Sequence, residues 1–497
     1  MNVATQLENL ARQEGWLDRV AFVEGDRRFT HGEIHQLAAR AAAGMAARGV
    51  RQGDRVLLAL PDGGGLVASF LGAAFIGAVA VIVNPALTAG DHARIVADCR
   101  PRLVIAGDEL TDRFEDLVSS TPERLLVADP DAALPAPADL DVDAPLYVQY
   151  TSGTTGRPKG AVHTHGHVAF YRRCIARGVL DIGPDDVILS VSKIYFAYGF
   201  GNALVFPLAC GASAVLFAAR PSPGEVGAAV RDHGVTVLFG VPSFYAKLVN
   251  ACAPEEFSTV RAAVSAGEGL PRSAGERLTR FLGAPVLEQI GSTEAGHAFC
   301  ANTVHSNVLG TLGRPVPEFE LELRNSAGGV VPDGTVGELW VRGPSVMTGY
   351  LSESGTAAPL LADGWLNTRD RAIRNSDGTY THCGRTDDIE IVGGINVAPT
   401  EIEAVISRHP DVREVAVAAV LSDDGTTTLS AFVVLETAGI DAAALRADLA
   451  ALARSQLAPF KVPKSVRLVN ELPRTDTGKL RRFMLRRDPS DSGAGAG

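Results

Sequence analysis

The stretch Tyr150-Thr-Ser-Gly-Thr-Thr-Gly-Arg-Pro-Lys-Gly160 holds the densest set of groups suited to binding phosphate. It follows the strand-like Leu146-Tyr-Val-Gln-Tyr150. Gly153 and Gly156 let a backbone bend closely around a ligand. The hydroxyls of Thr151, Ser152, Thr154 and Thr155 donate to phosphate oxygens together with the bare N–H groups beside them, and Lys159 adds a point charge. Pro158 before that lysine and Gly160 after it exclude the G-x-x-x-x-G-K-[ST] loop. Lysine is scarce among the 46 basic residues: Lys159, Lys193, Lys247, Lys461, Lys464 and Lys479 are all there are. Positive charge gathers again over 461–487, where Lys461, Lys464, Arg467, Arg474, Lys479, Arg481, Arg482, Arg486 and Arg487 face only Glu471 and Asp476. That stretch reads either as an attractor of phosphates or as a solvated basic face. His163-x-His165-x-His167 has metal-ligand residue types, but no fourth ligand stands nearby.

The elements that must position these groups alternate. Val56–Leu60, Leu103–Ala106, Val187–Val191, Ala214–Phe217, Val235–Phe239 and Val264–Ala266 are short apolar runs that read as buried strands. Helical or turn-rich sequence separates them, which predicts layered α/β structure with parallel strands. The apolar run Leu66–Val83 is too short and too small-residue-rich for a membrane span and reads as a buried helix leading into a strand. Residues 128–144 read as a surface connection. From about 310, Glu320–Arg324, Gly337–Arg342 and Asp377–Tyr380 alternate like antiparallel strands. After 387 a smaller α+β unit is expected, with helices over 402–406 and 442–457 and strands over 415–420 and 429–435. The 497 residues carry a net charge of −11, which argues against nucleic acid as a partner. Six dispersed cysteines and an N-terminus without basic start or apolar run predict a cytoplasmic protein with no membrane association.

The YTSGTTGRPKG stretch resembles the phosphate loop of the adenylate-forming superfamily: acyl- and aryl-CoA synthetases, carrier-loading adenylation domains and luciferases. Further matches follow in the family's order across about residues 20–485. The resemblance implies a large N-terminal domain of layered α/β subdomains with a β-rich subdomain (1–386), a small mobile α+β C-terminal domain (387–488) and a disordered tail (489–497). It implies ATP, Mg²⁺ and coenzyme A. Gly291-Ser292-Thr293-Glu294 is similar to the second ATP segment, whose glutamate holds Mg²⁺; one carboxylate plus phosphate oxygens suffices for that ion. Ser265–Pro271, with Gly267, Glu268 and Gly269, resembles the loop against which adenine packs. Asp370, ending Gly364–Asp370, is implied to bind ribose hydroxyls. Arg385 is implied to contact ribose or phosphate, and Asp387 to be the hinge. Pro473–Lys479 resembles the motif of the catalytic lysine, here Lys479, with Thr151, Glu294 and Arg385 as the other catalytic candidates. Gly393 and Gly394 are implied to line the thiol tunnel. Where many relatives carry a lysine just after the hinge, this chain has Ile391.

Lys193–Leu208 is closely similar to the substrate segment of benzoate-CoA ligases. Phe196, Ala197 and Tyr198, with Phe239, Ala266, Ile290, Gly291 and His297, are the implied walls of a slot for a small flat acid. Aromatic residues at these spacings also serve as core, and His297 is open to a ring substituent, to the carboxylate, or to a purely structural bond. Ala197 stands where α-amino-acid-activating domains carry an aspartate, which argues against a substrate ammonium. Phe460 and Lys461 fall where related aryl-CoA ligases meet the CoA nucleotide. The expected function is benzoate-type aryl-CoA ligation through an acyl-adenylate. The alternative is a stand-alone enzyme that loads an aryl acid onto a carrier-protein phosphopantetheine. The resemblance is compatible with a homodimer.

Overall fold

A computed structural model describes the chain except residues 116, 127–133, 153–157, 352–362, 387–389, 393–394, 422–426, 438–439, 475–479 and 487–497. Two sheets form the body. One runs, in spatial order, Gly349–Tyr350, Pro158–Thr164, Pro145–Ser152, Val79–Ile82, Arg55–Ala59, Leu103–Ala106 and Ser119–Ser120. The other has nine strands, with Val286–Gly291, Ala262–Ser265, Val237–Gly240, Val187–Ser190 and Ser213–Leu216 parallel at its centre. The central strands are apolar on both faces and wholly buried, as strands covered on both sides by helices must be. The 66–83 run forms helix Gly64–Phe75 and strand Val79–Ile82, as its length and Asn84-Pro85 terminus predict.

The texture change near 310 is a separate four-stranded antiparallel sheet: Glu320–Arg324, Gly337–Arg342, Leu366–Arg374 and Tyr380–Arg385. Asp377 and Gly378 form the turn before its last strand instead of opening a strand of their own. Beyond it a small α+β unit builds its own core. Val412–Leu421, Thr427–Leu435 and Ser465–Leu468 make one sheet, and side-chain alternation splits its apolar residues between two faces. Val417, Ala431 and Val433 pack beneath helices Pro399–Ile406 and Ala442–Gln456, while Ala416, Phe432 and Val434 pack with Leu472 and Leu485. No helix among the described residues is long and apolar enough to cross a membrane.

Periodicity did not foretell the conformation of 193–208. This segment winds as Ala197–Phe200, a wider π-helical piece over Gly201–Val205, and Phe206–Cys210. Helix Tyr171–Arg177 is also π-helical, and such widened turns concentrate at functional sites.

Candidate active site

Strands Pro145–Ser152 and Pro158–Thr164 pair antiparallel with Thr151 opposite Lys159. The YTSGTTGRPKG stretch therefore runs through a two-stranded stem that presents both residues at one end. Gly153, Thr154, Thr155 and Gly156 lie outside the described residues, as does the side chain of Ser152. Lys159 Nζ stands 5.4 Å from the centre of the Tyr350 ring, and the Tyr350 hydroxyl donates to Glu294 Oε1 at 2.8 Å. Tyr350 reaches this place because Gly349–Tyr350 pairs with the hairpin's outer edge. Burial and the adjacent Glu294 carboxylate push its phenol up.

The turn Ser292–Gly296 that carries Glu294 is held from three sides. Met347 N donates to the Glu294 carbonyl at 2.7 Å, Ser345 Oγ to the Ala295 carbonyl at 2.8 Å, and His163 Nε2 to the Thr293 carbonyl at 2.8 Å. A carbonyl only accepts, so His163 carries its proton on Nε2, and its Nδ1 accepts from His167 Nδ1 at 3.0 Å. Burial pushes His163 down to about 4 and His167 well below its usual value, so both imidazoles are neutral. His163 also stacks on Tyr147, whose hydroxyl bonds Tyr171 at 2.9 Å. His165 accepts from Val3 N at 3.2 Å. The histidine triplet thus fastens backbone. Gly291 is required before the turn, since a Cβ there would lie 2.4 Å from the His297 carbonyl oxygen.

The other side of the site comes from the antiparallel sheet, where Asp370 pairs directly opposite Arg385. The guanidinium lies 3.4 Å from Asp370 Oδ1, and His382 Nε2 lies 3.2 Å from the same oxygen. Arg369 takes a left-handed φ of 62° beside a bulge, a conformation that re-aims the next side chain. The loop 266–271 approaches from the nine-stranded sheet. Gly267 supplies a φ of 85°, and Leu270 N donates to the buried Glu288, whose carboxyl burial pushes up to about 7. The Glu268 side chain accepts from Ser243 N and Oγ and from Arg474 Nη1 at 2.7 Å, so a ligand there meets the loop's backbone.

Tyr198, Phe239, Ala266, Ile290 and His297 converge beside the same strand ends. Tyr198 donates to the Val264 carbonyl at 3.1 Å and meets Phe239 edge to face at 5.9 Å. His297 is wholly buried, bonded through Nε2 to Asn202 Oδ1 at 3.1 Å, and pushed down to about 3 by burial. Gly201 leaves the room its ring needs: a Cβ there would sit 2.3 Å from His297 Cδ2. Lys193 opens the segment by pairing with Asp62 at 3.0 Å, both buried. Burial pushes Asp62 up to about 6 against that pairing. On another side of the segment, Phe196 helps line a cavity of about 340 Å³ with Asn84, Pro85, Ser192, Arg220 and Val241. Ala197 and Tyr198 do not line it.

Lys479, Asp387, Gly393, Gly394 and the Ile391 side chain lie outside the described residues. Tyr350, His382 and Asn202 meet the site without any motif pointing to them; His163 reads from sequence only as a metal-ligand type and Arg474 only as part of the basic stretch, and the structure makes both of them fastenings instead. For Mg²⁺ the donor set fits. Glu294 offers a partly exposed carboxylate with Oε1 fixed by Tyr350, and no hydrogen bond from the described residues reaches Oε2.

The sequence matches the AMP-binding enzyme family over residues 8–351 and the AMP-binding enzyme C-terminal domain over 401–479. It is 41% identical over 491 residues to the p-hydroxybenzoic acid–AMP ligase of Mycobacterium tuberculosis, covering 98% of this chain and 69% of that one. It is 35% identical over 508 residues to the 4-hydroxybenzoate–CoA/benzoate–CoA ligase of Rhodopseudomonas palustris, covering 98% and 94%. Its fold superposes on a crystal structure of a benzoate CoA ligase from Burkholderia xenovorans at a TM-score of 0.89, with 36% identity over 98% of this chain and 100% of that one.

Proposed function

We propose that this chain, which belongs to the AMP-binding enzyme family, is an ATP-dependent aryl-CoA ligase. It activates benzoate or a hydroxybenzoate as the aryl-adenylate and passes the aryl group to coenzyme A. The observation that carries this is the meeting of Lys159, Tyr350 and Glu294 at the hairpin stem, beside the wall of Tyr198 and Phe239.

In the first step a carboxylate oxygen attacks the α-phosphorus of ATP and pyrophosphate leaves. Two anions must be held together, so the protein's part is positioning and charge neutralisation. Thr151, Ser152, Gly153, Thr154, Thr155, Gly156 and Lys159 take the departing phosphates, and Thr293 approaches the α-phosphate. Glu294 would hold Mg²⁺, which would supply Lewis-acid neutralisation there. Asp370 and Arg385 take the ribose, and the backbone of Gly267–Gly269 lies along adenine. Lys479 bridges carboxylate and phosphate as a compact cation. Ala197, Tyr198, Phe239, Ala266, Ile290 and Gly291 enclose the ring, with His297 behind Tyr198 and Phe196 on the cavity side of the segment.

In the second step the thiol attacks the adenylate carbonyl and AMP leaves. The small domain, from 387, turns about Asp387, withdrawing Lys479 and bringing Gly393 and Gly394 to the thiol path. The cavity beside Phe196 is suited to admit the thiol arm, with the exposed Arg220 at its rim. Six unpaired cysteines fit a cytoplasmic setting.

A second reading gives the aryl group to a carrier-protein phosphopantetheine. It is favoured by the Mycobacterium relative, named as an AMP ligase, which extends beyond the part matched here. One experiment tests both. Benzoate, 3- and 4-hydroxybenzoate and medium-chain fatty acids are incubated with ATP and Mg²⁺, and AMP release is scored with and without CoA. CoA-dependent release with the aryl acids is expected. Release that needs a carrier protein instead moves the assignment to the second reading, and preference for fatty acids rejects both.

A further inference from the structure

One arginine crosses from the small unit to the large one between two carboxylates. Arg474 Nη1 donates to Glu268 Oε1 and Nη2 to Glu414 Oε2, both at 2.7 Å. The three side chains are 23%, 13% and 11% exposed, respectively, so this is no loose surface pair. Glu414 belongs to the small unit's sheet, on strand Val412–Leu421. Glu268 belongs to the loop beside Asp370's partner His382, and Ser243 holds it in place from the large unit. Arg474 also forms a β-bridge with Leu480, and these two residues flank the segment that contains Lys479. The Arg474 guanidinium therefore ties the small unit's sheet to the nucleotide-facing loop, while its backbone bridges to Leu480.

The choice of residue fits the task. A planar fork satisfies two carboxylates at once, which a lysine cannot do with the same geometry. The two glutamates would repel each other without the cation between them, and Glu268 is costly to leave charged while covered. If the small unit turns away, Glu268 regains water, so the contact is strong when closed and cheap to release.

We propose that Arg474 is a positioning residue: an exchangeable latch between Glu268 and Glu414 that holds the small domain in the orientation for adenylation. The latch opens for thiol transfer. This rests on the two-step reading above.

The two half-reactions are measured apart. Adenylation is followed by ATP–pyrophosphate exchange with 4-hydroxybenzoate, and thiol transfer by thioester formation from supplied aryl-adenylate and CoA. Arg474→Ala and Glu268→Gln are each expected to slow exchange about tenfold with the KM for ATP little changed, while thioester formation is unchanged or faster. The double variant is expected to be no slower than Arg474→Ala, since one interaction is lost twice. Arg474→Lys recovers part of the rate. In the ligand-free protein, spin labels placed at the exposed Arg280 and Asp448 should show a broader distance distribution in Arg474→Ala than in the parent. The latch is overturned if Arg474→Ala slows both half-reactions alike or neither, if Glu268→Gln acts only by raising the KM for ATP, if the double variant is additive, or if the label distances do not move. Absence of exchange in the unmodified protein with every aryl acid overturns the ligase reading itself.

Discussion

The turn carrying Glu294 and the contact carrying Arg474, both proposed to serve the same reaction, are fastened by different kinds of bond. Around Glu294 the fastenings are short hydrogen bonds from neutral donors: His163, Tyr350, Ser345 and the Met347 amide. The imidazole network behind them is fully buried and uncharged. At Arg474 the fastening is charge on charge with partial access to water. Neutral buried bonds have no better place to go and hold a fixed geometry. An ion pair whose glutamate regains water when the units part can be broken and remade between steps. On the proposed two-step reading, this separates what must stay still for pyrophosphate to leave from what must come and go between steps.

The largest expected effect strikes the fixed half. Glu294→Gln keeps the shape and the bond from Tyr350 but removes the charge offered to Mg²⁺. Pyrophosphate exchange should fall by about 10²–10³-fold. Tyr350→Phe keeps the charge and removes only the aiming bond, and a loss of about tenfold is expected, in line with one hydrogen bond. Equal losses in the two variants would mean that Tyr350 acts on the phosphates directly.

His163 provides a pH test of the same half. His163→Phe preserves the stack on Tyr147 but leaves the Thr293 carbonyl without its donor and His167 Nδ1–H without its acceptor, costing about 1–3 kcal/mol near pH 7.5. The parent's advantage should shrink on acidification. His163 is held near 4 when folded and titrates near 6.5 when unfolded, so below 6.5 the unfolded chain binds the extra proton. Between pH 7.5 and 4.5 the parent should lose about 2–3 kcal/mol relative to the variant. Paired denaturant titrations measure this, and a stability gap independent of pH would show that His163 is not kept neutral by burial.

The same division explains what was legible in the sequence. Alternating apolar runs predicted the buried parallel strands, because strands covered on both faces have no other composition available. The YTSGTTGRPKG stretch and the Gly291–Glu294 turn stood out because residue types recur there at the fixed local spacing a bound ligand would demand. The fastenings were not. His163 and Thr293 are 130 positions apart, and Glu268 and Arg474 are 206 apart. Such pairs follow from topology, which composition does not encode. The π-helical turn over Gly201–Val205 also escaped notice. Its first residue, Gly201, lies against the His297 ring, a tertiary contact that local propensity does not contain.

The smallest effect is expected at Lys461, and it sharpens the contrast with Arg474. Both are cations of the small unit held by glutamate, yet Lys461 meets Glu401 alone, at 2.6 Å, with the glutamate side chain half exposed. Phe460 stands beside it with 45% of its surface open. A pair in that much water contributes little, so Glu401→Gln should change stability by less than about 0.5 kcal/mol. Adenylation should be unchanged, because the pair neither crosses between the units nor touches the fixed half. If the released ammonium and the open ring meet the CoA nucleotide, as their place in the sequence suggests by resemblance, the KM for CoA should fall about twofold as Lys461 loses its competitor. A variant that slowed pyrophosphate exchange would show that small-domain charges act collectively on closure, and Arg474 would then lose its special standing.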